Sequence, residues 1–333
     1  MKLDLKLYRG YVNEGQLTVS GHLFQSWAPD KYKLDRKGIR HAFSIFHMFR
    51  IEPLVNKEIQ LFFKGVQVAT RTMDDGYFRF SIPFTEELTS GWHTYQVMYN
   101  VTGIGITDTQ ELLKPFPGKL GIISDIDDTF LISHSNSIFK KLYVMLSKNI
   151  NKRKPFEDVV RHYKFLSRSG RTGSEGFNSF FYVSSSEWNL YSFIEEFATL
   201  HELPKAVIKL KKIKTRLWDF VKSGMGDHDH KFEKIKDIIS FYPNLEYVLL
   251  GDDSQQDPFI YERICKLFPL NIRAVYIRQT GRGEHKKVSE ALETMSSMGV
   301  AICYFTHSEK AIQHSEKIGL ITLKPTSIME DLS

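Results

Sequence analysis

The sequence predicts an α/β fold: a parallel sheet with helices on both faces, preceded by a small β-sandwich-like domain. Three observations carry this. Over the first ~115 residues, short segments rich in β-branched and aromatic residues recur between turn signals. From about Lys119 the rhythm changes to continuous apolar strands alternating with amphipathic helices, which argues for a parallel sheet covered on both faces. Between the two lies Pro115-Phe116-Pro117-Gly118, the best boundary between a domain at 1–115 and one at 116–333.

In the first part the strand candidates are LKLYRGYV, QLTVSGHLF, KEIQLFFKG, VQVATRTM, YFRFSIPF and WHTYQVMYNV. Phe78, Phe80 and Ile82 alternate with Arg79 and Ser81, as in a half-buried strand. Asp74-Asp75-Gly76 reads as a hairpin turn. Residues 36–50 break the pattern and read as a helical insertion. In the second part the strands are 120–124, 180–184, 206–210, 246–250, 273–277 and 300–305. Helices at 189–200, 230–241, 257–268 and 287–297 lie between them.

Composition narrows the class. With 333 residues, 42% of them hydrophobic and 25% charged, the chain can bury a core in each part without a staple. Its two cysteines, Cys265 and Cys303, sit in apolar surroundings, which excludes a disulfide scaffold and predicts buried free thiols. No apolar stretch approaches the ~20 residues of a spanning helix, and the first residues have no signal core. A cytoplasmic protein is expected, and nucleic-acid binding is not. The net charge of +6 is uneven: residues 130–180 hold ten Lys/Arg against Glu157, Asp158 and Glu175. That basic helical insert suits either a solvated face or an anionic partner.

The residues that carry chemistry fall at strand ends. The first strand of the second part runs into Asp125-Ile126-Asp127-Asp128-Thr129. Two carboxylates separated by one residue at a strand end project into one crevice. One can attack phosphorus while the other handles the proton of the leaving group. The second strand ends in Ser184-Ser185-Ser186, where Ser184 suits a phosphoryl oxygen and Ser186 suits a helix cap. Lys231 opens a helix whose apolar positions are Phe232, Ile235, Ile238 and Ile239. The fourth strand ends in Gly251-Asp252-Asp253-Ser254-Gln255-Gln256-Asp257-Pro258, a set of acids suited to a hard divalent cation such as Mg²⁺.

This order (DxDxT, strand-serine, helix-lysine, GDxxxxD) resembles the haloacid dehalogenase superfamily of phosphohydrolases. YVSSSEWNLY, HK at 230–231, GDDSQQDPFIY and VYIR look more closely like the actin-patch-associated phosphatidate phosphatase family, and LYRGYV and RKPFEDVVRHYKFL are similar to it too. The resemblance implies a haloacid-dehalogenase-like sheet and a Mg²⁺-dependent phosphoric monoester hydrolase acting on phosphatidate. Carried over, Asp125 is the nucleophile, Asp127 the general acid and then base, Thr129 the end of the motif, Ser184 the phosphoryl holder and Lys231 the stabiliser of the intermediate. Asp125, Asp127, Asp252 and Asp257 stand around the metal. The family shows GDSGQ where this chain has Asp253 and Ser254, so an extra acid is expected near the metal. The segment 137–150 interleaves Lys140, Lys141 and Lys148 with Ile138, Phe139, Leu142, Met145 and Leu146. Such a helix suits either peripheral contact with an anionic membrane or an ordinary core face. Soluble phosphomonoesters or phosphoproteins are the alternative substrates, and a non-catalytic lipid-binding protein is the third reading.

Overall fold

The computed structural model describes residues 2–26, 51–101, 104–126, 157–171, 176–211, 229–254, 256–281 and 285–322. The expected insertion at 36–50, the amphipathic segment 137–150, Asp127 and Thr129 lie outside these residues.

The first part is a single eight-stranded sheet: β1 (Lys2–Val12), β2 (Gln16–Ser26), β3 (Ile51–Pro53), β4 (Glu58–Phe63), β5 (Val66–Arg71), β6 (Tyr77–Pro83), β7 (Gly91–Val101) and β8 (Ile104–Lys114). Its order is β3-β2-β1-β8-β7-β4-β5, with β6 also paired to β2. The expected sandwich is thus one continuous sheet, curled around a core that includes Leu17, Val19, Leu61, Phe78 and Val97. β2 is the reason. It is long enough to pair with β1 on one side and with both β3 and β6 on the other. The turn at Asp74–Gly76 forms, with Gly76 N–H donating to Met73 O at 2.9 Å. It does not close a hairpin, however, because β5 pairs with β4 and β6 pairs with β2. The tight hairpin lies at Lys64-Gly65, where both residues have positive φ, as a two-residue turn between twisted strands requires.

The second part is a six-stranded parallel sheet of β9 (Leu120–Asp125), β10 (Ser179–Glu187), β11 (Ala206–Lys211), β12 (Glu246–Asp252), β13 (Ile272–Arg278) and β14 (Ala301–Phe305). The described helices are α1 (Glu157–Arg168), α2 (Tyr191–Leu200), α3 (Asp229–Phe241), α4 (Asp257–Leu267), α5 (His285–Ser297) and α6 (Ser308–Lys317). Side chains of α1, α2 and α6 share one core layer with Ile122, Tyr182 and Leu250. Those of α3, α4 and α5 share the other with Ile123, Val183 and Leu249. Successive strand residues therefore enter opposite layers, which is why β9 is buried at every position. Cys265 and Cys303 are buried free thiols.

The two sheets meet along β1 and β11. Tyr8 enters one core layer and Tyr11 the other, so β1 straddles the edge of the parallel sheet. Arg9 donates to Ala206 O at 3.2 Å and pairs with Glu195 at 3.0 Å. Lys209 donates to Tyr11 OH at 2.9 Å, and Tyr242 OH to Val12 O at 3.0 Å. An uncovered edge strand is a template for misassembly; here the curled sheet covers it. No described helix is long and apolar enough to cross a membrane.

Candidate active site

The parallel sheet runs β11-β10-β9-β12-β13-β14. Numbered from its own first strand this is 3-2-1-4-5-6, so the order reverses between β9 and β12. In open α/β sheets ligands bind at such a reversal, beyond the carboxyl ends of the strands. Asp125 ends β9 and Asp252 ends β12, and both are buried. Register aligns Val183 with Asp125 and Leu250 with Ser124. Ser184 therefore stands one residue beyond the level of Asp125 on one neighbour, and Gly251-Asp252 flank it on the other.

α3 supplies the cation. Phe232, Ile235, Ile238 and Ile239 turn into the core as their spacing predicts. That orientation drives Lys231, only 2% exposed, against the strand ends. Its Nζ lies 2.8 Å from Asp125 Oδ1 and also donates to Asp257 Oδ1. One helical turn on, Lys234 Nζ donates to the Ser184 carbonyl at 3.0 Å. Burial by itself would lower the Lys231 pKa; the charges and hydrogen bonds of Asp125 and Asp257 more than offset that and hold it well above the ordinary lysine value. Asp257 is pushed upward by burial, with the nearby charges of Asp125 and Asp252 acting in the same direction against Lys231.

Asp257 reaches this position through a missing side chain. A Cβ on Gly251 would collide with the Asp257 carboxylate and lie 2.9 Å from Tyr261 OH. Glycine is needed there for close approach. Tyr261 OH donates to Leu250 O at 2.8 Å, which fixes α4 against β12. Asp257 Oδ2 accepts the Asp252 N–H at 3.4 Å, and Asp252 Oδ1 accepts the Ser254 N–H at 2.7 Å.

Of the sequence-predicted residues, Asp125, Lys231, Asp252 and Asp257 come together, and Ser184 reaches the same sheet edge. Asp127 and Thr129 lie outside the described residues. Asp253 corrects an expectation. Its Oδ1 accepts from Thr280 N at 2.7 Å and Thr280 Oγ1 at 2.5 Å, and its Oδ2 from Tyr304 OH at 2.6 Å. The extra acid thus ties β12 to the ends of β13 and β14 and does not add to the Asp125–Asp252 cluster. Sequence reasoning missed Arg278, which stands opposite Asp252 in register and is 8% exposed. Burial depresses its pKa, while the charge of Asp252 opposes that. It also missed Tyr163 on α1, whose OH lies 2.7 Å from Ser124 Oγ; Ser124 in turn donates to Asp125 O at 2.8 Å. The signal for Arg278 was present: an apolar strand, RAVYIR, ends in a cation at the same sheet edge as the acids.

Among the described residues no cluster of three or more His, Cys, Asp or Glu is close enough to hold a metal. Mg²⁺ does not require one. It commonly takes one or two carboxylates and completes its shell with water and phosphate oxygens. Buried Asp125 and Asp252, on adjacent strands, fit that all-oxygen donor set. Asp257 has its Oδ1 on Lys231 and its Oδ2 on the Asp252 N–H.

Residues 120–279 match the family described as the catalytic domain of phosphatidate phosphatase APP1. Over 168 residues the chain is 26% identical to phosphatidate phosphatase APP1 of Saccharomyces cerevisiae, spanning 49% of this chain and 26% of that protein. Thus the chain spans about a quarter of its curated relative's length. Among solved structures, a carbohydrate acetylesterase from Xanthomonas citri is 9% identical with a TM-score of 0.31, covering 96% of this chain and 75% of that one. The PilB minor pilin of Streptococcus sanguinis is 11% identical with a TM-score of 0.30, covering 96% and 77%. Neither likeness bears on fold or function. The matched segment holds every described residue of the candidate site, from Asp125 to Arg278, and it is similar to that catalytic-domain family.

Proposed function

We propose that this chain is a phosphatidate phosphatase that hydrolyses its substrate to diacylglycerol and phosphate, with Mg²⁺ as cofactor and a haloacid-dehalogenase-like site. The observation that carries the reading is buried Asp125 at the switch point, salt-bridged to buried Lys231, within a segment that matches the APP1 catalytic-domain family. A carboxylate approaching a phosphate dianion meets charge repulsion. Lys231, held protonated by two acids, offsets that repulsion at the attacking group. A Mg²⁺ on Asp125 and Asp252 would supply further neutralisation of the phosphoryl oxygens.

The Asp125 carboxylate oxygen bonds to phosphorus as the ester P–O bond breaks, and the alcohol departs with a proton from Asp127. Water then attacks the aspartyl-phosphate, returning its proton to Asp127 and freeing Asp125. Asp127 and Thr129 enter this scheme from their motif, Ser184 from its place at the sheet edge. The substrate is reached at the surface of an anionic membrane on the cytoplasmic side, with the basic segment 130–180 as the contact.

The test is Mg²⁺-dependent phosphate release, comparing phosphatidate in mixed micelles with soluble phosphomonoesters, alongside Asp125→Asn. Release selective for phosphatidate and lost in the variant is expected. Release from soluble esters alone would keep the chemistry and discard the lipid. Failure to sediment with anionic vesicles would count against membrane contact.

A further inference from the structure

The segment that follows Ser184 is gripped by the curled sheet. β10 ends at Glu187, and Trp188 opens the short 3-10 turn (Trp188–Leu190) into α2. The Trp188 ring stacks on the imidazole of His22 in β2, with centroids 4.0 Å apart and planes at 17°. Phe24 of the same strand lies 5.3 Å from it. His22 is fixed in its turn: its Nδ1 shares a 2.7 Å hydrogen bond with Tyr8 OH, and Tyr77 of β6 meets its ring edge-on at 5.2 Å. Three residues past Trp188, Tyr191 OH accepts the Arg9 N–H at 2.8 Å and its ring lies 4.6 Å from that of Tyr8. On the far side, Lys234 holds the Ser184 carbonyl from the helix that carries Lys231.

Residues 184–191 are therefore clamped between α3 and the β1–β2–β6 face. Apolar side chains would be enough to pack two sheets together. A buried histidine costs desolvation, and here it is oriented by a tyrosine so that its flat face meets Trp188.

We propose that the curled sheet belongs to the catalytic apparatus, with His22 as a positioning residue that acts through Trp188 to hold Ser184 at the phosphoryl site. This rests on the phosphatase reading above. Misplacing a reacting group by about 1 Å costs on the order of a hundredfold in rate, so a strand more than 150 residues away in sequence can govern turnover without touching substrate.

The test uses the full chain as wild type, His22→Ala and His22→Phe, the last keeping a ring against Trp188. Amide hydrogen exchange, orthovanadate inhibition and steady-state kinetics on the best phosphomonoester are compared. In His22→Ala, exchange at 184–191 is expected to quicken while 246–252 stays protected, kcat to fall about tenfold or more, and orthovanadate to bind more weakly. His22→Phe is expected to recover most of each loss. Unchanged exchange at 184–191, or faster exchange there with unchanged kinetics, overturns the proposal. Exchange that quickens equally over both sheets marks His22 as merely structural and overturns it as well. A wild type that releases no phosphate from any ester refutes the phosphatase reading instead, and the exchange comparison still decides whether β2 holds this segment.

Discussion

The curled sheet and the parallel sheet each bury an apolar core, the parallel one the larger, yet they treat polar groups differently. In the curled sheet β5 alternates between half-buried and exposed and β6 shows nearly the same rhythm, as expected of strands with one wet face. Among its described residues the buried polar side chains are Thr18, His22 and Thr72. In the parallel part β9 is buried throughout, and Ser124, Asp125, Ser184, Lys231, Asp252, Asp253, Asp257 and Arg278 are all buried near one end of the strands. Ions are costly to bury unless paired. Concentrating them where helix, strand and turn can pair them makes that edge the chemically capable end of the molecule.

Substitutions can break or sharpen this contrast. The largest effect is expected from Asp125→Asn, which should reduce phosphate release at least a thousandfold, as removal of a nucleophile does; a retained circular dichroism spectrum would separate this from unfolding. Lys231→Met leaves Asp125 and Asp257 buried without their cation and should destabilise the chain by about 3–5 kcal/mol, read from urea unfolding. Gly251→Ala pushes a methyl into the Asp257 carboxylate and should cost about 1–3 kcal/mol by the same assay, with activity falling too.

A gentler test uses pH. His162, buried on α1, lies 2.8 Å from Ser315 Oγ and near Tyr276 and His314; burial first, then the charge of His314, holds its pKa down at about 3. The unfolded chain takes up that proton near pH 6.5 and the native chain does not. This contribution to stability is therefore present above about pH 6.5 and lost as pH falls towards 3, at about 1.4 kcal/mol per pH unit. His162→Gln should flatten that slope in acid-dependent urea melts. The smallest effect is expected on the wet face of the curled sheet, where Gln67→Lys should shift stability by less than about 0.5 kcal/mol.

Much of this was legible in the chain. The six parallel strands emerge near the expected residues because apolar runs of five or six leave little choice once both faces are buried. Asp125, Lys231, Asp252 and Asp257 were legible as candidates because each stands where an apolar strand ends or an apolar-faced helix begins. Less legible were the features that depend on partners distant in sequence. The turn at Asp74–Gly76 carries the local signature of a hairpin, but pairing is decided by which strands lie alongside, and β2 and β4 outcompete the local neighbour. Asp253 looks identical to a ligand in sequence and becomes a clamp only because Thr280 and Tyr304 arrive beside it. β8 went unrecognised because ITDTQELLK carries too many polar residues for a strand signal, although it pairs with β7 along its whole length.

The sequence by itself determined the β-rich first stretch, the parallel α/β core and which acids stand at the strand ends, with a lysine at a helix start. These follow from periodicity and burial, which are local properties of the chain. Only the tertiary structure decided that one curled sheet replaces a sandwich, that Lys231 bridges Asp125 and Asp257, that Asp253 faces away, and that His22 stacks on Trp188. Each of these is a contact between residues far apart in sequence. Its free energy depends on packing and pairing that exist only once distant segments of the chain have come together.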